Sequence, residues 1–474
     1  MTLPSTSTTA RAIARVSLPL MGGMVGNLVM MLVDRITLAR YSPETLQASG
    51  PAVFTAVAIT TFFTGVAAIS RSSVAQAFGR DGDDAARREA VLGIVLGVVL
   101  GVVLFLLAPL IALIPRIGGQ PAHLIPLEAV YLVWAARFGA VMVLNVSLAS
   151  YFNGIGKTTV PLAVGLVGQA VDVVFTVGLV FGKFGLPELG MAGSAIGTLI
   201  GTLVMMVGYL LFLPKGFYAG FRHLVRDGWS TITGRVRFRL RRGLAAGGSA
   251  AIEVLGQTAF VWIAAVLGTV ALAANNVILS INYLAIIPII GLGVGCSVLC
   301  GNAIGEGDYR RIKGTIKVTL LLASCYIAII SFFQLVTPKL LLMPFGLDDA
   351  DQHTVDVAIA TSATLWTYSL TFLFSMVGSA VLESFGLTRF SFVTRLVFIW
   401  GMSLPIILWI SVTNPGDADF LPLSWIVGSV FEAIIGAVYF WRIRKAVRGR
   451  ENHLVDPTTA KVGAEGSAEA EAAQ

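Results

Sequence analysis

The sequence predicts an all-α membrane protein with twelve transmembrane helices, in two six-helix lobes related by pseudo-two-fold symmetry about the membrane normal. Three observations support this prediction. The chain is unusually apolar, it contains twelve apolar runs of membrane-spanning length, and its two halves share short patches at a nearly constant spacing. Together they indicate a multi-pass helical protein whose second half repeats the first.

The composition excludes a soluble globular fold. Apolar residues occupy 56% of the 474 positions and charged residues 12%, against roughly 45–50% and 25% in ordinary soluble domains. The mean hydropathy is +0.84. Because a membrane-spanning helix needs about 20 mostly apolar residues, this composition is sufficient for about a dozen spans.

Twelve apolar runs account for most of the chain. Each is longer than the segments of about ten alternating residues found in transmembrane barrels, and backbone groups in hydrocarbon need internal hydrogen-bond partners. The runs therefore predict helices. They lie near residues 14–38, 52–77, 90–114, 127–150, 159–182, 191–213, 244–268, 273–300, 315–336, 354–381, 390–412 and 421–441.

Basic residues concentrate at both termini and on the connections that follow the even-numbered spans. The positive-inside rule then places both termini in the cytoplasm. We expect the membrane to be the plasma (inner) membrane. The predicted parts are a cytoplasmic N-terminus 1–11, an N-lobe 12–214, a basic cytoplasmic linker 215–242, a C-lobe 243–448 and a disordered cytoplasmic tail 449–474.

The two halves share an internal repeat. Ala77-Phe78-Gly79 matches Ala303-Ile304-Gly305, and the motif NGIGKT from Asn153 matches ESFGLT from Glu383. Matching spans enter the membrane from the same side in both halves, because six helices separate them. An axis along the membrane normal with a substrate site between the lobes is typical of parallel-repeat transporters.

Five motifs in order carry a family resemblance: VDR at the end of the first span, QAFGRDGDDAARR, NGIGKTTVP, FGLPELGMAGSAIGT and AIGEGDYRR. With them, residues 12–445 resemble the multidrug and toxic compound extrusion (MATE) transporters. The resemblance implies twelve helices in two lobes and exchange of Na⁺ or H⁺ for amphiphilic, mostly cationic compounds. It implies no cofactor besides the coupling ion.

Ionisable residues within spans are functional candidates because they are unfavourable in hydrocarbon. Asp34 lies about 20 residues, or ~30 Å, along the first helix, and Asp172 reaches a somewhat shallower depth in the fifth. Gln169, Asp172 and Thr176 share one stripe of the fifth helix. Two such carboxylates could hold Na⁺, which prefers oxygen ligands, or share a proton.

The family pattern refines this cation-coupling site. Many MATE relatives carry an Asp in the first helix, Asn and then Asp four residues later in the fifth, and a Thr in the sixth. The matching positions here are Asp34, Asp172, Thr176 and Ser194. The fifth-helix carboxylate has moved by one helical turn, which leaves open which ion is used. Asn145 in the fourth helix is a further candidate ligand.

An alternative role for Asp34 is a structural ion pair with Arg71 or Arg137, which also lie within spans.

Proline removes a backbone hydrogen bond and bends helices. Pro19 resembles a family proline at which the first helix can bend, so it is a candidate hinge; a static kink is the alternative.

The second half offers a candidate substrate site. Glu253 lies near the middle of the seventh span, with Gln257 one turn further on. Some MATE branches have this Glu, with a Tyr and an Asp in the tenth helix. Tyr368 matches the Tyr, but Phe372 stands at the Asp position. We therefore expect Glu253, Gln257 and Tyr368 to bind a cationic substrate, and Glu432 to hydrogen-bond a neighbouring helix.

The sequence as a whole favours a cation-coupled antiporter working as a monomer, with a small amphiphilic substrate, contact to membrane lipid and no nucleic acid. Alternatives are a flippase for lipid-linked saccharides, an exporter of host metabolites, and a membrane enzyme using Asp81, Asp83 and Asp84 to hold Mg²⁺. No sequence pattern indicates a nucleophile triad, a P-loop, a zinc protease or an ion-channel filter, so we expect no enzyme activity and no pore.

Overall fold

The computed structural model describes residues 6–214, 216–217, 229–338, 342 and 351–449. Within these ranges, twelve helices are long and apolar enough to cross a membrane. Leu106, Leu211, Trp262 and many other large apolar side chains are exposed on the outside of the bundle, as expected for surfaces facing lipid. The predicted fold class, an all-α membrane protein with twelve spans, is confirmed.

The N-lobe contains helices α1 to α6. Ser42 caps α2 by accepting a hydrogen bond from the Thr45 amide at 3.1 Å, and Gly82 separates α2 from α3 with a φ of 78° that favours glycine. One helical turn, Ile114–Ile117, follows α3. The bounds are α1 Thr6–Tyr41, α2 Pro43–Asp81, α3 Asp83–Ile111, α4 Ile125–Gly154, α5 Thr159–Phe181 and α6 Met191–Phe212.

The C-lobe contains helices α7 to α12. Its eleventh span is not α-helical throughout, because Leu396–Ser403 forms a π-helix between two α-helical parts. Pro405, in the first turn after the π-helix, lacks the backbone N–H that an α-helix would use there. The bounds are α7 Trp229–Val266, α8 Thr269–Gly305, α9 Tyr309–Val336, α10 Gln352–Ser384, α11 Thr388–Thr413 and α12 Leu421–Gly449.

The predicted linker is helical in its second part. From Trp229 onward it is continuous with α7. Arg235 and Arg239 lie one turn apart on this extension, and both form ion pairs with Glu89 of α3. These pairs fix the extension against the N-lobe. Residues 218–228 of the linker and the tail beyond Gly449 lie outside the described residues.

The lobes meet where α2 contacts α7 and α8, and where α1 contacts α8. We call the end of the bundle at which α1 begins and α12 ends the terminal face. Toward this face α2 and α8 cross closely, because Gly79 lies against Asn302 and Gly305 against Gln76. A Cβ atom at either glycine would collide with the opposite backbone. The two glycines occupy equivalent positions of the internal repeat, so the crossing follows the two-fold symmetry.

Candidate functional site

The N-lobe brings Asp34 and Asp172 together. Asp34 lies on α1, and its carboxylate interacts electrostatically with that of Asp172 on α5. Thr176, one turn further along α5, donates a hydrogen bond to Asp172 Oδ1 at 3.1 Å and lies beside the Asp34 carboxylate. Two carboxylates and a hydroxyl from two helices therefore share one site, which we call the acid pair site.

Helix α6 closes one side of the acid pair site. The Thr176 hydroxyl lies 3.5 Å from the Ser194 carbonyl oxygen, and Thr198 lies beside Asp172 while donating to the same carbonyl at 3.2 Å. Ser194 thus provides a backbone oxygen next to the site. The helices approach closely because α6 carries Gly201, where a Cβ would lie 2.7 Å from the Asp172 Cβ.

Two residues of this site were missed by the sequence analysis. Tyr131 of α4 is 7% exposed and interacts electrostatically with both Asp34 and Asp172, and Thr198 contacts Asp172 from α6. Neither is an acidic or basic residue type, so neither stands out among the charged residues within spans. The helical spacing could have indicated them, because Tyr131 shares a face of α4 with Asn145 and Thr198 shares a face of α6 with Ser194.

Gln169 and Asn145 make hydrogen bonds between helices. The Gln169 amide donates to Asn27 Oδ1 of α1 at 2.6 Å, and the Asn145 amide donates to the Thr202 carbonyl of α6 at 2.8 Å. Their nitrogens therefore tie α5 to α1 and α4 to α6. Their oxygens, Gln169 Oε1 and Asn145 Oδ1, are buried and have no hydrogen-bond partner among the described residues.

Unpartnered acceptor oxygens also occur at the acid pair site itself. Asp34 Oδ1 and Asp172 Oδ2 are buried without a hydrogen-bond partner in the part of the chain that the structure describes. A buried acceptor without a donor is unfavourable. Oxygen-only groups of this kind suit a hard cation or a proton. These oxygens therefore suit either Na⁺ or H⁺ as the bound ion.

The alternative role of Asp34, an ion pair with Arg71 or Arg137, is wrong. Arg71 pairs with Glu383 of α10 at 2.9 Å, and the Arg137 guanidinium lies over the Trp134 ring at 4.3 Å. Over the described ranges, neither Asp34 nor Asp172 has an ion-pair partner within 4 Å. Both arginines therefore contact groups other than Asp34.

The C-lobe contains a cavity between helices α7, α8, α10, α11 and α12. All three residues predicted to bind substrate, Glu253, Gln257 and Tyr368, line it. Trp425 packs edge-on against Tyr368 with ring centroids 5.2 Å apart. Phe260, Phe431 and Glu432 also line the cavity. We call this space the C-lobe cavity.

Glu253, which we expect to bind a cationic substrate, forms an ion pair within the protein. Its Oε2 lies 2.6 Å from Arg395 Nη1 of α11. The partners are 142 residues apart, so sequence patterns gave no indication of the pair. Glu432 accepts a hydrogen bond from Ser375 of α10, as expected for a contact with a neighbouring helix. Phe372, at the position of the family Asp, is buried and stacks on Tyr368.

The acidic residues considered as an Mg²⁺ site form ion pairs with arginines. Asp81 pairs with Arg80 at 2.6 Å, and Asp83 and Asp84 both pair with Arg87. The same run begins α3, where acidic residues stabilise the helix N-terminus. These contacts account for the acidic residues without a metal.

Fold and sites together define a multi-pass helical membrane protein with intramembrane acids in one lobe and an aromatic, acid-bearing cavity in the other. Such buried groups are typical of carriers. The chain belongs to the MatE family of transporters, whose family model matches residues 19–178 and 245–409. The two matches begin 226 residues apart (19 and 245), which agrees with the spacing of the internal repeat.

The chain is also similar to curated relatives and, in its fold, to solved structures. The chain is 26% identical to a probable multidrug resistance protein, YoeA of Bacillus subtilis, over 73% of this chain and 74% of the relative. It is 26% identical to the multidrug resistance protein NorM of Burkholderia vietnamiensis, over 86% and 88%. An outward-facing multidrug resistance MATE transporter structure superposes with a TM-score of 0.78 and 20% identity, covering 93% of this chain and 96% of that one.

Proposed function

We propose that this protein is a cation-coupled antiporter that exports amphiphilic, mostly cationic drugs or metabolites in exchange for Na⁺ or H⁺. It acts as a multi-pass protein of the plasma (inner) membrane, as a monomer, with the terminal face and both chain termini in the cytoplasm. The observation that carries the proposal is the acid pair site, where Asp34 and Asp172 interact and neither has an arginine or lysine partner among the residues that the structure describes.

The coupling ion binds at the acid pair site. Asp34, Asp172 and Thr176 supply side-chain oxygens from α1 and α5, and Ser194 supplies a carbonyl oxygen from α6. Gln169 and Asn145 contribute more indirectly, by fixing α5 against α1 and α4 against α6. Neutralising the pair removes the repulsion between two buried carboxylates, so ion binding changes how tightly α1 and α5 pack.

The substrate binds in the C-lobe cavity, against Glu253, Gln257 and Tyr368. Aromatic faces there attract an organic cation and also accommodate its apolar body. The two lobes then alternate between openings on either side of the membrane. Bending of α1 at Pro19 links ion binding to this movement, because Pro19 lies in α1 between the terminal face and Asp34.

The membrane potential drives the exchange only when net charge crosses the membrane. One positive charge moving inward through 100 mV releases about 2.3 kcal/mol. Exchange of one ion for one neutral or zwitterionic guest could use all of this energy. Exchange for a monocation would draw on the chemical gradient of the ion alone.

The competing flippase function requires a strongly cationic cavity for its anionic lipid. In the described residues, the C-lobe cavity is lined by two carboxylates and by no Lys or Arg. This charge disfavours a lipid-linked anion as cargo. The relatives named for multidrug resistance support the antiporter instead.

The proposal is tested in proteoliposomes loaded with ethidium, with Na⁺ and pH gradients imposed separately. We expect one gradient to drive ethidium transport and the other to have no effect, which identifies the coupling ion. Liposomes without protein and an ionophore that collapses the gradient are the controls. Transport that responds to neither gradient would contradict the proposal.

A further inference from the structure

The charge on the wall of the C-lobe cavity is unbalanced. Two carboxylates, Glu253 and Glu432, line the cavity, while Arg395 lies behind them and is not among the lining residues. The Arg395 side chain is 1% exposed and that of Glu253 is 27% exposed. A guest in the cavity therefore contacts Glu253 before it can reach Arg395.

The closest charged partner of Arg395 is Glu253, and Glu432 lies farther away but still within electrostatic reach. A guanidinium buried to this extent is strongly destabilising without an anionic partner, and Glu253 provides that partner at 2.6 Å. Glu432, by contrast, accepts a hydrogen bond from Ser375 and has no ion pair within 4 Å among the described residues. Counted as ionised groups, the two carboxylates and the one guanidinium sum to one formal negative charge at the cavity.

The segment that carries Arg395 has an unusual backbone. Arg395 immediately precedes the π-helix Leu396–Ser403, and Ile399 and Ser403 of that π-helix line the cavity. Trp400, within it, donates a hydrogen bond to the Ile252 carbonyl at 3.2 Å, next to Glu253. Helix α11 is thus attached to α7 at Glu253 and at the residue before it. Wide π-turns inside helices are frequently found at functional sites.

We propose that Arg395 determines the charge of the cargo: by neutralising Glu253 it leaves a single uncompensated carboxylate, so the C-lobe cavity accepts aromatic monocations and discriminates against dications. Arg395 is a positioning residue, since it acts through Glu253 and does not touch the guest. This inference rests on the proposed function only in taking the C-lobe cavity as the substrate site.

Ethidium and propidium test the inference directly, because they share a phenanthridinium ring system and propidium carries a second positive charge. Binding of each dye to the purified full-length protein in detergent is measured by fluorescence titration. We expect the wild type to prefer ethidium. In Arg395→Met, which frees Glu253, we expect the ratio of propidium to ethidium Kd to fall about tenfold or more, as an added nearby charge implies.

Two matched variants separate charge from structure. The double variant Glu253→Gln/Arg395→Met removes the whole ion pair but keeps one net negative charge, so its Kd ratio should match the wild type. Glu432→Gln leaves no net charge and should weaken ethidium binding about tenfold. If Arg395→Met fails to fold, as judged by gel filtration, these two variants still decide the question.

The inference is overturned by an unchanged Kd ratio in Arg395→Met, by a double variant that fails to match the wild type, or by undiminished ethidium binding in Glu432→Gln. Its failure is distinguishable from failure of the antiporter proposal. Ethidium transport that still responds to an ion gradient would leave the antiporter standing and remove only the role of Arg395.

Discussion

Arg71 of the N-lobe and Glu383 of the C-lobe form an ion pair that joins the lobes toward the terminal face. Arg71 Nη2 lies 2.9 Å from Glu383 Oε1, and the side chains are 14% and 21% exposed. One turn closer to the end of α2, the Gln76 amide donates to the Ser384 carbonyl at 2.7 Å. The end of α10 is therefore held by α2 through two side chains.

The internal repeat supplies a reciprocal contact. Asn302 of α8 occupies the position equivalent to Gln76. With its amide nitrogen turned to the nearest carbonyls, it donates to Ala75 at 2.7 Å and to Gly154, at the end of α4, at 3.3 Å. Each lobe thus holds the end of a helix in the other. We call Arg71, Gln76, Asn302 and Glu383 the inter-lobe latch, and infer that it keeps the terminal face closed in this conformation.

We predict that Arg71→Gln and Glu383→Gln each open the terminal face. A half-buried, charge-assisted hydrogen bond contributes about 1.5–3 kcal/mol, which is sufficient to shift a two-state equilibrium by at least tenfold. The measurement is the distance between spin labels at R88C and K313C, two exposed positions on this face in different lobes, in a Cys325→Ser background. We expect a longer-distance population to appear.

The latch prediction has an internal control. Arg80 pairs with Asp81 of the same helix, so Arg80→Gln should leave the spin-label distances unchanged. The charge reversal Arg71→Glu/Glu383→Arg should restore the closed population. Wild-type distances in both single Gln variants would show that the pair does not hold the lobes together.

We predict that Thr176→Ala weakens binding of the coupling ion, because the Thr176 hydroxyl contacts both carboxylates of the acid pair site. Loss of a hydrogen bond to a charged group corresponds to about a tenfold increase in the ion concentration for half-maximal transport. Thr176→Ser retains the hydroxyl and should resemble the wild type. The measurement is ethidium transport as a function of Na⁺ or H⁺ concentration. Equal half-maximal concentrations for Ala and Ser would refute the role of the hydroxyl.

We predict that Gly201→Ala separates α6 from α5 and destabilises the protein. The new Cβ would lie 2.7 Å from both the Asp172 Cβ and the Gly168 carbonyl oxygen, and overpacking of this kind costs about 1–3 kcal/mol. Gly165→Ala, also in this pair of helices but with no atom within 4 Å of the new Cβ, is the matched control. Thermal unfolding in detergent should show a lower Tm for Gly201→Ala only; equal Tm values would contradict the packing argument.

The spans and the acid pair were predictable because their signals are local. A run of apolar residues predicts a helix whatever surrounds it, and the depth of Asp34 and Asp172 follows from residue counts along helices that start on the same side. The repeat predicted equivalent positions such as Gly79 and Gly305. These features needed no knowledge of which helices are neighbours.

The missed features depend on which helices are neighbours. Arg395 lies 142 residues from Glu253, so only the packing of α11 on α7 reveals their pair. Tyr131 joins the acid pair site because α4 packs between α2 and α6. The helical extension of α7 into the predicted linker is likewise explained by Glu89 of α3, a tertiary contact with Arg235 and Arg239.

The most direct measurement compares ion-driven ethidium transport with ethidium counterflow, which needs no ion gradient, in Asp34→Asn, Asp172→Asn and the control Asp84→Asn. Asp84 is an exposed carboxylate at the start of α3. If the acid pair couples the ion to transport, both intramembrane variants lose gradient-driven transport but keep counterflow, and Asp84→Asn behaves as wild type. Gradient-driven transport at wild-type rates in Asp34→Asn and Asp172→Asn would contradict the account.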